Sequence, residues 1–494
     1  HGFFSNLLKK DIDYIFLPHI TQMDSHSEHQ YNRLCVFVQG ECYFLKSTFR
    51  DELEKKGNNI RIITPVIDFT LPEDELRNVF IGIANEVGKD KKKAIDSFDY
   101  SYKRFNEMQN EFKSLGRKAL DEIESNPDNI GIVLFGRSYN AFAREANLNI
   151  PHKFASKNIT IIPHDFLPND IKISYENMYW YSGHQILSNA RFIKKHKQLF
   201  GTFITNFSCG PDSFILSYFR RIMGDKPSLT LELDSHSADV GIDTRIDAAM
   251  DFIKNYLLLN SDGRTEEKKQ FINPLKIYTE NNKISIVDSS NNKIGITSKD
   301  IEVLIPSMGR YSTDAFAAVF RSLGINCKPL EVPSLETLKH GRGLTTCKEC
   351  LPFILTTGSL TEYLNNHYNR NKKTLFFMPR GYGPCRQGQY YIMLKDIINN
   401  LKIENVGVLT MDDESSFDDF GTEFFIKQWI GILIGDVVHD IESTIKSIGI
   451  NKTESLEILE SEWEKIKLSL EKGEHNEIFI QLEKSCDVLS KIKL

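Results

Sequence analysis

"GTFITNFSCGPDSFILSYF", residues 201–219, passes from a β-branched and aromatic run, through a Cys-Gly-Pro turn, into apolar residues recurring every three or four positions. The first part reads as a buried parallel strand and the last as an amphipathic helix. A strand that turns straight into a helix opens a βα unit. Five further runs before residue 260 read as strands of the same kind: "DYIFLPHI" from 13, "IRIITPVI" from 60, "IGIVLFG" from 130, "ITIIPHD" from 159 and "LTLELD" from 229. Between them lie helical patterns, such as "YWYSGHQILSNARFIKKHKQL" from 179 and "IDTRIDAAMDFIKNYLL" from 242. The alternation predicts an α/β fold with doubly wound parallel sheets.

A second round begins after the polar stretch "LNSDGRTEEKKQFINPL" from 259 and a hairpin-like "KISIVDSSNNKIGIT" from 283. The runs "IEVLIPSMG" from 301, "NCKPLEV" from 326, "KTLFFMP" from 373 and "NVGVLTM" from 405 then alternate with helical patterns. The expected division is an incomplete N-terminal α/β domain with a linker helix over 1–125, an α/β domain over 126–262, and an α/β domain over 263–494 ending in a helical segment from about 421. The charged stretch 86–125 has helical spacing and reads as a solvated linker helix. The chain enters on a helix, "HGFFSNLLKK", with no preceding strand or cap, as though inside a domain.

Composition narrows the function classes. With 40 % hydrophobic and 26 % charged residues the chain is an ordinary globular one, and a net charge of -6 without a basic block argues against a nucleic-acid partner. The longest apolar stretches, such as "WIGILIG" from 429, fall far short of the roughly 18 residues that span a bilayer, and no signal peptide opens the sequence, so no membrane association and a cytoplasmic location are expected.

Eight cysteines in 494 residues are too dilute for a disulfide scaffold, so each needs its own reading. Cys209 follows a strand and precedes Gly210, Pro211 and a helix, which places its thiol at the carboxyl edge of a parallel sheet, with helix amides favouring a thiolate. Cys385, in "FMPRGYGPCRQGQYYIML", has the same setting after another strand. Cys35 and Cys42 lie seven apart in "RLCVFVQGECYFLKS", and Cys347 and Cys350 form "CKEC" ahead of Pro352 at a helix start. Cys327 and Cys486, without glycine or proline around them, read as packing residues. A cysteine is often no more than a small buried hydrophobe, but six in loop or helix-start settings exceed that explanation. Zinc calls for a compact set of paired ligands, and only one such pair exists. A redox dithiol at "CKEC" leaves Cys209 and Cys385 unexplained. Scattered thiolates from strand ends suit an iron–sulfur cluster.

The polar residues are less decisive. In "GRSYN", Gly136, Arg137, Tyr139 and Asn140 follow a strand where a ligand-binding loop would sit, and Arg386 adjoins Cys385. Either arginine could tune a cluster, hold a phosphate or carboxylate, or form a structural ion pair. Glu232, Asp234, His236 and Asp239 form a polar strand end, read as a proton relay, a second shell, or a cap of the next helix by Asp239 or Asp243. His26 and His29 read as solvated loop.

Together, "GIVLFGRSYNAFAREANLNIPHKFASKNITIIPHDFLP", "MYWYSGHQILSNARFI", "TNFSCGPDSFILSYFRRIMGDKPSLTLELDSHSADVGIDTRIDA", "CKECLPFILTTG" and "MPRGYGPCRQGQY" resemble the 2-hydroxyacyl-CoA dehydratase superfamily. They are most similar to the dehydratase-like C-terminal region of acyl-CoA dehydratase activase fusion proteins and to the double-cubane cluster proteins, from His1 to about residue 415. The resemblance implies flavodoxin-like domains around an oxygen-sensitive iron–sulfur cluster that takes electrons from an ATP-hydrolysing activase with its own 4Fe-4S cluster. It also implies a homo-oligomer. Dehydratase members form a ketyl radical on a 2-hydroxyacyl-CoA; double-cubane members reduce small molecules. Cys35, Cys209, Cys350 and Cys385 match the family's cysteine positions, and Cys42 and Cys347 bring the set to six. Six thiolates imply an 8Fe-9S double cubane rather than a single 4Fe-4S cluster. Relatives carry a cysteine-containing stretch just ahead of the position of His1. No GxxxxGK[ST] motif occurs, so ATP belongs to a separate activase chain or to upstream domains. The expected function is an iron–sulfur reductase of a small molecule, with a dehydratase component and a non-catalytic regulatory domain of an activase fusion as alternatives.

Overall fold

A computed structural model describes residues 1–24, 31–56, 60–169, 175, 177–206, 209–234, 236–260, 275–280, 283–346, 348–381, 385–411 and 420–494. His26, His29 and Cys347 therefore lie outside the described residues. The chain divides into two compact units, His1–Glu266 and Glu267–Leu494.

In the first unit the helices are α1 (Gly2–Leu8), α2 (Val36–Thr48), α3 (Arg50–Lys56), α4 (Glu73–Glu86), α5 (Lys91–Glu124), α6 (Ile150–Ala155), α7 (Tyr181–Lys195), α8 (Asp212–Met223) and α9 (Asp239–Asn260). The strands are β1 (Tyr14–Phe16), β2 (His19–Gln22), β3 (Arg61–Ile63), β4 (Val66–Asp68), β5 (Gly131–Phe135), β6 (Thr160–Pro163), β7 (Leu199–Asn206) and β8 (Ser228–Leu233). The two runs expected as single strands near residues 13 and 60 are each broken in two. Pro18 and Pro65 interrupt them, because a proline has no N–H for the ladder. The halves pair as β1 with β3 and β2 with β4, both parallel.

The main sheet of this unit is parallel, in the order β6-β5-β7-β8. Every residue of β5 is buried, as are Leu199 to Thr205 of β7, which is why both runs are apolar without alternation. The order reverses between β5 and β7: the chain leaves β5 to one side and returns to the other. Such a reversal leaves a crevice at the carboxyl ends of the two strands, the usual ligand position in flavodoxin-like sheets. The 34-residue α5 is not the solvated linker expected from its charge. It buries Ala94, Phe98, Gly116, Leu120 and Ile123 along one stripe, and Lys113 Nζ donates to the Asp165 and Leu167 carbonyls, each at 2.8 Å. A charged surface stripe dominated its composition and concealed the apolar one.

The second unit opens with the antiparallel sheet β9 (Lys276–Glu280), β10 (Lys283–Val287) and β11 (Lys293–Gly295). Its parallel sheet comprises β12 (Ile301–Ile305), β13 (Cys327–Pro329), β14 (Lys373–Phe377) and β15 (Val406–Leu409), in the order β13-β12-β14-β15. That is the order of the first sheet repeated, with its reversal between β12 and β14. The helices are α10 (Arg310–Ser322), α11 (Leu335–Leu344), α12 (Leu351–His367), α13 (Tyr390–Asn400), α14 (Thr422–Ile448), α15 (Lys452–Lys472) and α16 (His475–Leu489). The C-terminal helices extend the core over α10: Phe424 meets Phe320 edge-on at 5.1 Å and Trp463 meets Tyr311 edge-on at 5.2 Å. Among the described residues no helix is long and apolar enough to cross a membrane.

Candidate functional site

Four cysteines occupy one kind of place. Cys35, Cys350 and Cys385 each sit in extended backbone immediately ahead of a helical segment: α2, α12, and the 3-10 turn Arg386–Gln389 that runs into α13. Cys209 lies three residues before α8, and its carbonyl accepts from Ser213 N–H at 3.2 Å, so it belongs to the first turn. A thiol at a helix start meets outward-pointing amides and the positive end of the helix dipole, which suits an anionic sulfur. Cys209 follows β7 and Cys385 follows β14, the third strands in chain order of their equivalent sheets. Each therefore borders the point where strand order reverses.

Around Cys209 the crevice is built from charged residues that sequence spacing does not connect. Gly136 ends β5 with φ +143, and a Cβ there would lie 2.4 Å from the Ile204 carbonyl oxygen of β7. Glycine thus lets the next residues turn across the sheet end. His164 fixes this turn, its Nε2 3.3 Å from the Gly136 carbonyl, while Asn189 Nδ2 lies 3.4 Å from its other ring nitrogen. Burial lowers the His164 pKa, which keeps the ring neutral. Arg137 follows and points inward: its Nε donates to Asp212 Oδ1 at 3.0 Å, and both side chains are buried. Asp212 Oδ2 accepts from Thr205 Oγ1 at 2.8 Å. Residues 138–142 then form one π-helical turn that leaves Tyr139 half-exposed and buries Asn140.

Burial pushes the Cys209 thiol up to about 12, and the Asp212 carboxylate pushes the same way against Arg137. Burial and the Asp212 carboxylate thus oppose the helix amides that favour a thiolate at Cys209. In a buried site next to a carboxylate, desolvation outweighs the amides until a positive partner arrives, and a metal ion is the usual one. Burial also raises the Tyr139 pKa, with Arg137 opposing and Cys209, Asp212 and Cys35 adding to the rise. Arg137 Nη2 has no hydrogen-bond partner among the described residues.

In the second unit Cys350 shares a hydrogen bond with the Tyr390 hydroxyl, whose ring packs on Phe353 at 4.9 Å. Burial raises the Tyr390 pKa, followed by that bond to Cys350, with Cys385 adding to the rise. Glu349 holds the approach to Cys350. Its buried carboxylate accepts from Thr346 N–H at 3.1 Å, Thr346 Oγ1 at 3.0 Å and Lys348 N–H at 3.2 Å. The packing of α12 on α11 depends on Gly358, whose Cβ would fall 2.0 Å from the Thr337 carbonyl oxygen.

Cys42 sits in α2 seven residues after Cys35, on the same helix face about 10 Å further along, and is 1 % exposed. Cys327 is buried as expected, whereas Cys486 is exposed on α16 and does not pack, since its position falls on the outer face of an amphipathic helix. The polar strand end after β8 serves structure: Asp234 accepts from His236 N–H at 2.9 Å and Ser237 Oγ at 2.8 Å, and Asp243 pairs with Lys153 at 2.9 Å rather than capping α9.

Among the described residues, no three His, Cys, Asp or Glu side chains gather into a site for a single metal ion. The buried, unpartnered N–H of Arg137 beside Cys209 fits an anionic, sulfur-rich group. Sequence reasoning located the cysteines and Arg137 but missed Asp212, Tyr390 and Glu349. An acidic residue in the first turn of a helix after a cysteine was the available signal for Asp212; no local signal pairs Tyr390 with Cys350.

Residues 1–167 match the model of a CoA enzyme activase uncharacterised domain (DUF2229). No curated protein and no solved structure matches the chain.

Proposed function

We propose that the chain is an iron–sulfur component of double-cubane type that receives low-potential electrons from an ATP-dependent activase and passes them to a small molecule. The observation that carries this reading is the repeated placement of Cys35, Cys209, Cys350 and Cys385 at helix starts, two of them beside equivalent strand reversals. The activase-type domain over 1–167 supports an activase as the partner. Cys35, Cys209, Cys350 and Cys385 would hold the irons, with Cys42 and Cys347 as the two further thiolates. The cluster would supply one-electron transfer at low potential. The chain's own residues do the rest: Arg137 places positive charge against the thiolates, Asp212 fixes that arginine, and Tyr390 holds Cys350 through its hydroxyl. A homo-oligomer in the cytoplasm belongs to the same reading.

Anaerobic iron and sulfide analysis of the reconstituted chain, with EPR of the reduced form, tests it. About eight irons per chain support the double cubane; about four support the 2-hydroxyacyl-CoA dehydratase alternative with a single 4Fe-4S cluster. No iron leaves the regulatory domain of an activase fusion. Cys209→Ser and Cys385→Ser should each lower iron content, and unchanged iron in both would remove them from the ligand set.

A further inference from the structure

We propose that Arg137 donates a hydrogen bond from Nη2 to the sulfur face of the cluster held at Cys209 and thereby raises its reduction potential. This rests on the iron–sulfur reading above. The guanidinium is 7 % exposed and spends Nε on Asp212, while Nη2 is buried with no partner among the described residues. A buried N–H of a charged group left without an acceptor is costly, so native structures rarely retain one without a ligand to meet it.

A purely structural ion pair would not need the second donor. Asp212 is already engaged at both oxygens, by Arg137 and by Thr205, and so does not offer itself to Nη2 in the present arrangement. The guanidinium is held by Asp212, three residues after Cys209, and the loop carrying it stands at the carboxyl end of β5, across the strand reversal from Cys209. A planar guanidinium suits this role because one edge can grip a carboxylate while another N–H points elsewhere in a fixed direction. A lysine ends in one nitrogen and has no such second arm.

The redox consequence follows from charge. A cluster bound there would spread the charge of an electron accepted from the activase over its sulfurs, with no bond formed or broken and Arg137 keeping its proton. Hydrogen bonds to those sulfurs stabilise the reduced form more than the oxidised one and raise the potential.

The test is an EPR-monitored redox titration of the full chain, reconstituted anaerobically, with iron counted in each sample. R137M/D212N removes the donor while leaving net charge unchanged, so simple electrostatics predicts no shift. The expected result is wild-type iron content with a midpoint potential moved to more negative values. R137K keeps the positive charge and the pairing with Asp212, and its potential should also fall; this variant decides the matter if the double variant does not load iron. A potential unchanged in the variant that loads iron overturns the role of Arg137 and leaves the iron–sulfur reading standing. Wild-type protein that binds no iron overturns both.

Discussion

Arg137 Nε donates to Asp212 Oδ1 at 3.0 Å, linking the turn after β5 to the first residue of α8 across 75 positions of sequence. Both groups are buried, and Asp212 is further held by Thr205 at 2.8 Å. The pair locks the two walls of the crevice beside Cys209. Breaking one member of a buried ion pair leaves an uncompensated charge, which costs roughly 3–5 kcal/mol, whereas replacing both members is close to neutral. Asp212→Ala should therefore strip hydrogen-exchange protection from β5 and α8 by about that amount, and R137M/D212N should retain most of it. Equal losses in the two variants would show that packing, not charge pairing, holds the crevice.

On the proposed reading, Cys42 separates a single cube from a double one. If it binds a second cube, Cys42→Ala lowers iron from about eight per chain to about four while the remaining EPR signal persists. Its burial in α2 offers the contrasting outcome: iron unchanged and stability lowered by about 1 kcal/mol through a lost sulfur contact. Iron analysis beside a denaturation curve reads both.

Acid should loosen the turn at Gly136. Burial lowers the His164 pKa below its ordinary 6.5, so the unfolded chain binds a proton that the folded chain refuses in that window. Stability linked to this group is present above about pH 6.5 and falls as pH drops toward the folded value. In His164→Gln this acid-dependent loss should shrink when unfolding midpoints are compared at pH 7 and pH 5.

Gly358 offers a test at a distance from any thiol. A Cβ would fall 2.0 Å from the Thr337 carbonyl oxygen, so Gly358→Ala must push α12 away from α11. We expect a loss of roughly 1–3 kcal/mol, in line with overpacking elsewhere, together with a changed rate of Cys350 alkylation in the cluster-free chain, because α12 carries that residue at its start. An unchanged alkylation rate would disconnect the helix packing from Cys350.

Glu349 holds three donors from Thr346 and Lys348 on one buried carboxylate. Glu349→Ala leaves two N–H groups and a hydroxyl without their acceptor, at a cost of about 1–3 kcal/mol. The segment before α12 should then become protease-sensitive, and Glu349→Gln should recover part of the protection.

Local chemistry made much of this protein legible. Apolar runs such as 130–136 and 201–207, followed by helical periodicity, marked the βα units, because a strand buried on both faces needs uninterrupted apolar residues. Cysteines followed by Pro or Gly marked helix starts at Cys209 and Cys350 for equally local reasons. Pro18 and Pro65 were legible as prolines but not as the points where two strands become four. The apolar stripe of α5 was obscured by the charges around it. Tertiary structure alone decided the strand order β6-β5-β7-β8, and with it the meeting of Arg137, Asp212 and Cys209. It also decided that Tyr390 reaches Cys350, forty residues earlier. The reason is physical: periodicity and turn chemistry act over a few residues, whereas strand order is set by which apolar faces can be covered at once. Only after that choice do the loop ends, and the charges they carry, become neighbours.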